Sequence, residues 1–272
     1  TGPETAILAN EAAYNTGIDR GLSPSDIKLP FADPSGMPTY DRNSDLFRTA
    51  ALSNYEISAQ GGNSNSTYYV GLGYTKQESV VKPSDFERYS GRLNYDNNLT
   101  SKLKIGTSIN LSKVYRNVSS NDNNPKGVIN SAIFVRSYLP IYNEDGSYAR
   151  YGSFDNHLAL IEHLDNNATT WRTIGNLFLE YNLLKELKFR SSWSLDNTDL
   201  TESNYADTFI SAGIATNGSA TSYKAKNIVY TAEQLLTYNK VFKDKHALNV
   251  LLGNTVNAVQ EEYTSASGQG FA

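Results

Sequence analysis

Residues 54–112 read NYEISAQGGNSNSTYYVGLGYTKQESVVKPSDFERYSGRLNYDNNLTSKLKIGTSINLS, and in four runs within them apolar side chains recur at alternate positions. Tyr55, Ile57 and Ala59 alternate with Glu56, Ser58 and Gln60. Tyr68, Val70, Leu72 and Tyr74 alternate with Tyr69, Gly71, Gly73 and Thr75. Tyr89, Gly91, Leu93 and Tyr95 alternate with Ser90, Arg92, Asn94 and Asp96, and Leu103 to Leu111 alternate with Lys104 to Ser112. A period of two is the signature of half-buried strands. The same pattern returns at Trp171–Tyr181, Leu187–Leu195, Ile228–Tyr238 and Leu248–Val256. That predicts about eight strands, most of roughly 9–13 residues, against about 5–6 in ordinary sheets and about 9–11 for tilted strands that cross a bilayer.

The connections are sorted by length. Short ones are expected at Gly61–Ser66, Asp96–Lys102, Asn182–Glu186 and Asn239–Lys245, and longer ones at Ser79–Asp85, Arg116–Ala168 and Asn197–Ser222. Short turns at one end and long loops at the other are the asymmetry of outer-membrane barrels. The fold class expected is therefore all-β: part of a large transmembrane β-barrel, about eight antiparallel strands, with short helices in extracellular loops. Within residues 116–168, Pro125 suits the first turn of a helix running to Tyr138, and Asn156 suits the cap of one running to Leu164. Thr5–Asn15 is a further helix candidate. Residues 1–51 form a loop region carrying that helix, residues 52–262 the wall segment, and residues 263–272 the start of another loop.

Three hairpins place Tyr on the apolar face shortly before a short turn: Tyr95 after Leu93, Tyr181 after Leu179 and Tyr238 after Leu236. There a ring sits in lipid and its hydroxyl among headgroups, so these three are candidates for a membrane girdle. Tyr is also a good strand residue anywhere. The opposite face carries Glu56, Arg92, Lys104, Arg172, Glu180, Lys188 and Arg190. Pairing Tyr181 with Leu187 across the turn sets Glu180 opposite Lys188, a mildly stabilising arrangement. A soluble sandwich presents the same alternation, so the polar face decides little alone.

Composition narrows the chemistry. The 272 residues carry a net charge of −4, which offers no basic footprint for nucleic acid. Cys is absent, so neither disulfides nor thiolate metal sites exist. The longest apolar run, Tyr68–Tyr74, is far short of the about 18 residues of a membrane helix. His157 and His163 fall on different faces of a helix, and His246 lies far away, so no metal site or catalytic constellation is expected and no enzyme activity. Asn143-Glu-Asp-Gly-Ser147 lacks the acids of a calcium loop and reads as a turn nucleated by Asp145-Gly146. No cofactor is implied. Gly71 and Gly73 on the polar face read as sites of close backbone approach or curvature. Five Asn-x-Ser/Thr sequons, at Asn65, Asn98, Asn117, Asn167 and Asn217, are compositional in so Asn-rich a chain. Tyr142, Tyr148, Tyr151 and Phe154 cluster in the middle loop. They are candidates for contacts to a ligand or a lid by stacking, or else they pack the loop onto its own helices.

Residues 54–112, with Pro140–Tyr148, Gly175–Asp196 and Leu236–Gly253 in the same order, resemble the barrel of SusC/RagA-type TonB-dependent transporters of Bacteroidetes outer membranes. Asp45-LFRTA and Ala6–Gly17 fit the same pattern. The resemblance implies a 22-stranded barrel around an N-terminal plug, set in outer-membrane lipid as a multi-pass protein. It implies import of oligosaccharides or peptides powered by TonB and a SusD-like surface lipoprotein acting as a hinged lid. No leader, plug or TonB-contacting segment appears before Thr1, so the chain is expected to be an internal portion whose end strands pair elsewhere. The alternative is a soluble secreted β-sandwich, a glycan-binding or adhesin protein. A barrel-type outer-membrane enzyme is a third reading, for which the three His offer no constellation.

Overall fold

The period-two segments become one sheet. In the computed structural model, which describes residues 1–119, 124 and 126–271, eight strands pair antiparallel in sequence order. They are β1 (Leu52–Gly62), β2 (Ser66–Glu78), β3 (Asp85–Asn98), β4 (Leu103–Asn117), β5 (Leu164–Asn182), β6 (Leu187–Ala206), β7 (Ser219–Phe242) and β8 (His246–Gln269). Their lengths climb from 11 residues in β1 to 24 in β7 and β8. Each of the four short turns and three longer loops falls within the stretch the sequence assigns to it, though several are shorter.

The register keeps each apolar set on one side. Ile57 pairs with Leu72, Leu72 with Gly91 and Gly91 with Leu111. Leu177 pairs with Trp193, Trp193 with Ala232 and Ala232 with Val256. No second sheet covers this face among the described residues: Ile57 is 71% exposed and Leu252 67%, and neither Leu93, Leu179 nor Leu236 is buried. A sandwich hides its apolar face against a second sheet, so this wall is not one half of a sandwich.

The wall's own core is elsewhere. Leu46, Val128, Ala132, Ala159, Leu160, Ala206 and Ile210 form the buried cluster, at the end where the long loops gather. It is assembled from α2 (Arg42–Leu46), α3 (Val128–Phe134), α4 (His157–His163) and the end of β6. An N-terminal helix, α1 (Gly2–Asp19), joins this cap through Thr5, whose hydroxyl lies 2.9 Å from that of Ser137. A fifth helix, α5 (Ser211–Ile214), closes the β6–β7 loop.

Several boundaries differ from the sequence reading. The strands β5 to β8 run far past the predicted ends, so residues 197–206 and 219–222 are strand, and only 207–218 form that loop. Strand β8 continues to Gln269 where a loop was expected from residue 263. Helix α1 starts earlier than Thr5 because Thr1 and Glu4 form a capping box ahead of it. Helix α3 is shorter than Pro125–Tyr138, and its expected start at Pro125 lies outside the described residues. Tyr181 pairs with Phe189, not Leu187, because Leu184 and Leu187 exchange backbone hydrogen bonds and close a tighter turn. The two-residue shift preserves both faces. Glu180 still meets Lys188 at 3.4 Å and also Arg190 at 3.6 Å.

Candidate functional site

Two surfaces gather candidate functional side chains, one in the cap and one on the polar face of the wall. The cap surface begins with the Asp145-Gly146 turn. Gly146 takes the left-handed conformation at φ 82°, and Asp145 accepts from the Ser147 backbone N–H at 2.9 Å. The turn folds Tyr142 back onto Tyr148 as a β-bridge, with ring centroids 5.5 Å apart. Tyr148 donates its hydroxyl to Glu162 of α4 at 2.5 Å. Burial, and then that carboxylate, push the phenol well above its usual range, so it remains a donor.

Two partners that no local spacing points to extend this cluster. His163 stacks at 4.2 Å on Phe209, and both meet Tyr148 edge-on, at 5.5 and 5.9 Å. Asp207 lies 3.2 Å from His163 Nδ1 and holds the imidazole against the rings. Tyr142 and Phe209 stay about half exposed, at 47% and 48%. They arrive from loops more than sixty residues apart, so no local motif links them.

The other two predicted aromatics stand apart from this cluster. Tyr151 donates to the Pro140 carbonyl at 2.6 Å, and the Arg42 guanidinium lies 5.4 Å from its ring. Burial raises its phenol pKa while Arg42 lowers it. Phe154 packs on Phe134 at 6.1 Å, and Phe134 itself is 62% exposed. Tyr142 and Tyr148 are thus brought together, and Tyr151 and Phe154 are not brought to them.

On the wall, Tyr95, Tyr181 and Tyr238 all lie on the apolar face, near the short turns. They are not in one register row. Tyr181 lies four residues beyond Leu177, the β5 residue in the Tyr95 row, and Tyr238 lies two beyond Leu236, the β7 residue in the Tyr181 row. A second belt escaped the sequence reading. Tyr55, Tyr74, Tyr89, Lys113, Trp171, Asp199, Lys226 and Glu262 form one continuous row of partners at the long-loop side. The Tyr74 and Tyr89 rings meet at 4.9 Å, and Lys113 sits 4.9 Å from the Trp171 ring. Along this row and beyond it, at Lys76, Glu87, Thr201 and Lys224, the outward face is aromatic, polar or charged.

On the opposite face, Arg88, Arg92 and Arg172 line a hollow of about 370 Å³ with Asn54, Glu56 and Ser90. Gly71 and Gly73 make its floor. A methyl group at Gly71 would lie 2.8 Å from the Tyr69 hydroxyl, and one at Gly73 would lie 2.7 Å from Ser90 Oγ. Arg172 forms two hydrogen bonds with Asp196, Nε to Oδ1 at 3.0 Å and Nη2 to Oδ2 at 2.7 Å. Arg92 lies 5.9 Å from the Tyr69 ring. Among the described residues no group of His, Asp and Glu is placed to hold a metal ion.

A sheet of this kind, with its bare apolar face and capped long-loop end, has counterparts among known proteins. TonB-dependent receptor P3 of Formosa agariphila is 30% identical over 247 residues, 87% of this chain and 24% of its own length. TonB-dependent receptor P26 of the same organism is 28% identical over 99% of the chain and 27% of its own length. TonB-dependent receptor SusC of Bacteroides thetaiotaomicron is 24% identical over 72% of the chain. The chain belongs with the SusC/RagA-type TonB-dependent transporters. It spans about a quarter of the length of these curated relatives. No family model matches it. The SusC/RagA-type wall is also what the fold matches: the RagAB peptide transporter superposes over all of the chain with a TM-score of 0.77 at 20% identity, covering 33% of that chain. A RagAB peptide importer in a closed-closed state superposes over 86% with a TM-score of 0.72 at 23% identity. The SusC/RagA-type sheet here is therefore a fragment of a barrel.

Proposed function

We propose that this chain is the wall and external loops of part of a TonB-powered importer in the outer membrane, with no covalent chemistry of its own. The observation that carries this is the single sheet whose apolar face stays uncovered and ends in the Tyr55–Glu262 row. Such a face suits hydrocarbon, and its polar reverse suits a wet lumen. The girdle role of Tyr95, Tyr181 and Tyr238 belongs to the same reading. So does assignment of residues 1–51 and the 116–168 loop to the outside of the cell, with plug and remaining strands supplied by other segments.

The cargo proposed is an oligosaccharide or peptide, handled with a SusD-like surface lipoprotein over the loops. The likeness to SusC and to RagAB peptide importers supports that class of cargo and partner. Within the cap, Tyr142, Tyr148, His163 and Phe209 form the contact surface, and rings of this kind stack on sugars and on peptide side chains alike. The second pair, Tyr151 and Phe154, supports the cap around them. The test is deletion of the full-length gene followed by growth on defined glycans and peptides. Affinity purification from membranes is its companion. Loss of growth on one cargo and co-purification of a lipoprotein are expected. A protein recovered in the soluble fraction without detergent overturns the reading.

A further inference from the structure

The arginine hollow on the polar face has no part in the transport role assigned so far. We propose that it recognises carboxylate groups on the cargo as it enters the lumen. The inference rests on the reading that this face lines the lumen. Arg88 and Arg92 make no ion pair among the described residues, so two guanidinium groups are available. Arg172 already displays the parallel two-bond geometry that suits a carboxylate, on Asp196. Its charge is offset there, and Glu56 is the acidic residue lining the hollow, so the balance stays positive. Tyr69 beneath Arg92 steadies a guanidinium that otherwise sweeps freely. Gly71 and Gly73 open the floor, and the volume of about 370 Å³ accommodates one acidic residue or one uronic sugar ring.

Position selects the occupant. Glu56, Gly73, Ser90, Ser112 and Arg172 share a register row that is one residue from the Tyr55–Trp171 belt. The hollow therefore sits toward the long-loop end, where cargo arriving past the cap meets it first. Carboxylates reach it on acidic peptides or on uronic oligosaccharides, and the chemistry is common to both.

The test uses the purified full-length transporter and four probes: trigalacturonate, its methyl ester, the peptide Ala-Glu-Ala-Glu-Ala and its Gln counterpart. At least one acidic probe is expected to bind roughly tenfold tighter than its neutral partner, and the margin narrows in about 0.5 M salt. Which acidic probe wins identifies the source. Arg88→Gln/Arg92→Gln removes the preference, and Arg88→Lys/Arg92→Lys restores part of it. If the double Gln variant is missing from the outer membrane, the two single Gln variants carry the test, each losing about threefold. Absence of any acidic preference in the wild type, or its survival in the Gln variants, overturns the proposal. Uptake of the native cargo continuing in those variants leaves the importer reading standing, whereas failure of the wild type to insert in membranes sinks that reading instead.

Discussion

His157 Nε2 lies 3.2 Å from Asp45 Oδ2, a contact that joins α4 to α2 across 112 positions of chain. The imidazole is fully buried, and its Nδ1 has no partner among the described residues. Burial lowers its pKa, the nearby Arg42 lowers it further, and Asp45 only partly opposes them. A histidine held below its usual value of about 6.5 binds its proton more readily in the unfolded cap. Its stabilising share is therefore complete above that value and is lost as pH falls below it. Hydrogen exchange of the cap amides in the full-length protein at pH 7.5 and pH 5.5 is expected to reveal faster opening at the lower pH. His157→Gln flattens that dependence, and an unchanged slope in the variant refutes the assignment.

Val256 and Thr255 are neighbours on β8 that face opposite ways, so they make a matched pair. Arg at Val256 meets lipid and costs about 2–4 kcal/mol near the bilayer midplane. Arg at Thr255 meets the lumen and is expected to leave insertion intact. Heat-modifiable migration of outer-membrane fractions reads both. Equal tolerance of the two variants removes the basis for assigning the faces.

Tyr142→Ala and Phe209→Ala are expected to weaken cargo binding by a few-fold to about tenfold each, with barrel assembly unchanged. Tyr148→Phe keeps the ring and loses the bond to Glu162, which costs about 1 kcal/mol of local stability. Binding isotherms on the purified full-length protein, paired with thermal melts, separate the two effects. Wild-type affinity in both Ala variants excludes these rings from the contact surface.

Ile210 is 1% exposed in the cap core. Ile210→Ala is expected to cost roughly 2–5 kcal/mol of cap stability. Proteolysis of the long loops accelerates in that variant, while the heat-modifiable barrel band persists. Simultaneous loss of both signals contradicts a cap that holds itself together.

The lower part of the wall was legible because lipid imposes a rule on it. Within the runs Tyr55–Gln60, Tyr68–Thr75, Tyr89–Asp96 and Leu103–Ser112 alternate residues are mostly apolar, and strands β1 to β4 lie where that alternation puts them. On the proposed reading both faces above the Trp171–Glu262 row meet water, so nothing obliges residues such as Asn204, Ser222 or Ser265 to alternate. That is why the upper reaches of β5 to β8 read as loop. The cap was legible only in its local devices, the Asp145-Gly146 turn and the Asn156 cap. Phe209 and Ile210 gave no sign of their partners, because a core assembled from four distant segments leaves no spacing to read. The arginine hollow was likewise hidden: Arg92 and Arg172 were placed on the polar face, but their convergence depends on register across three strands.

The separation of the buried cluster from the bilayer-facing wall has a consequence for how such a protein diversifies. Substitutions among Leu46, Val128, Leu160 and Ile210 are felt by one another and reach the wall only at its long-loop end, through Ala206 and Leu164. On the proposed reading, the cap is thus free to be remodelled one patch at a time over an unchanged sheet.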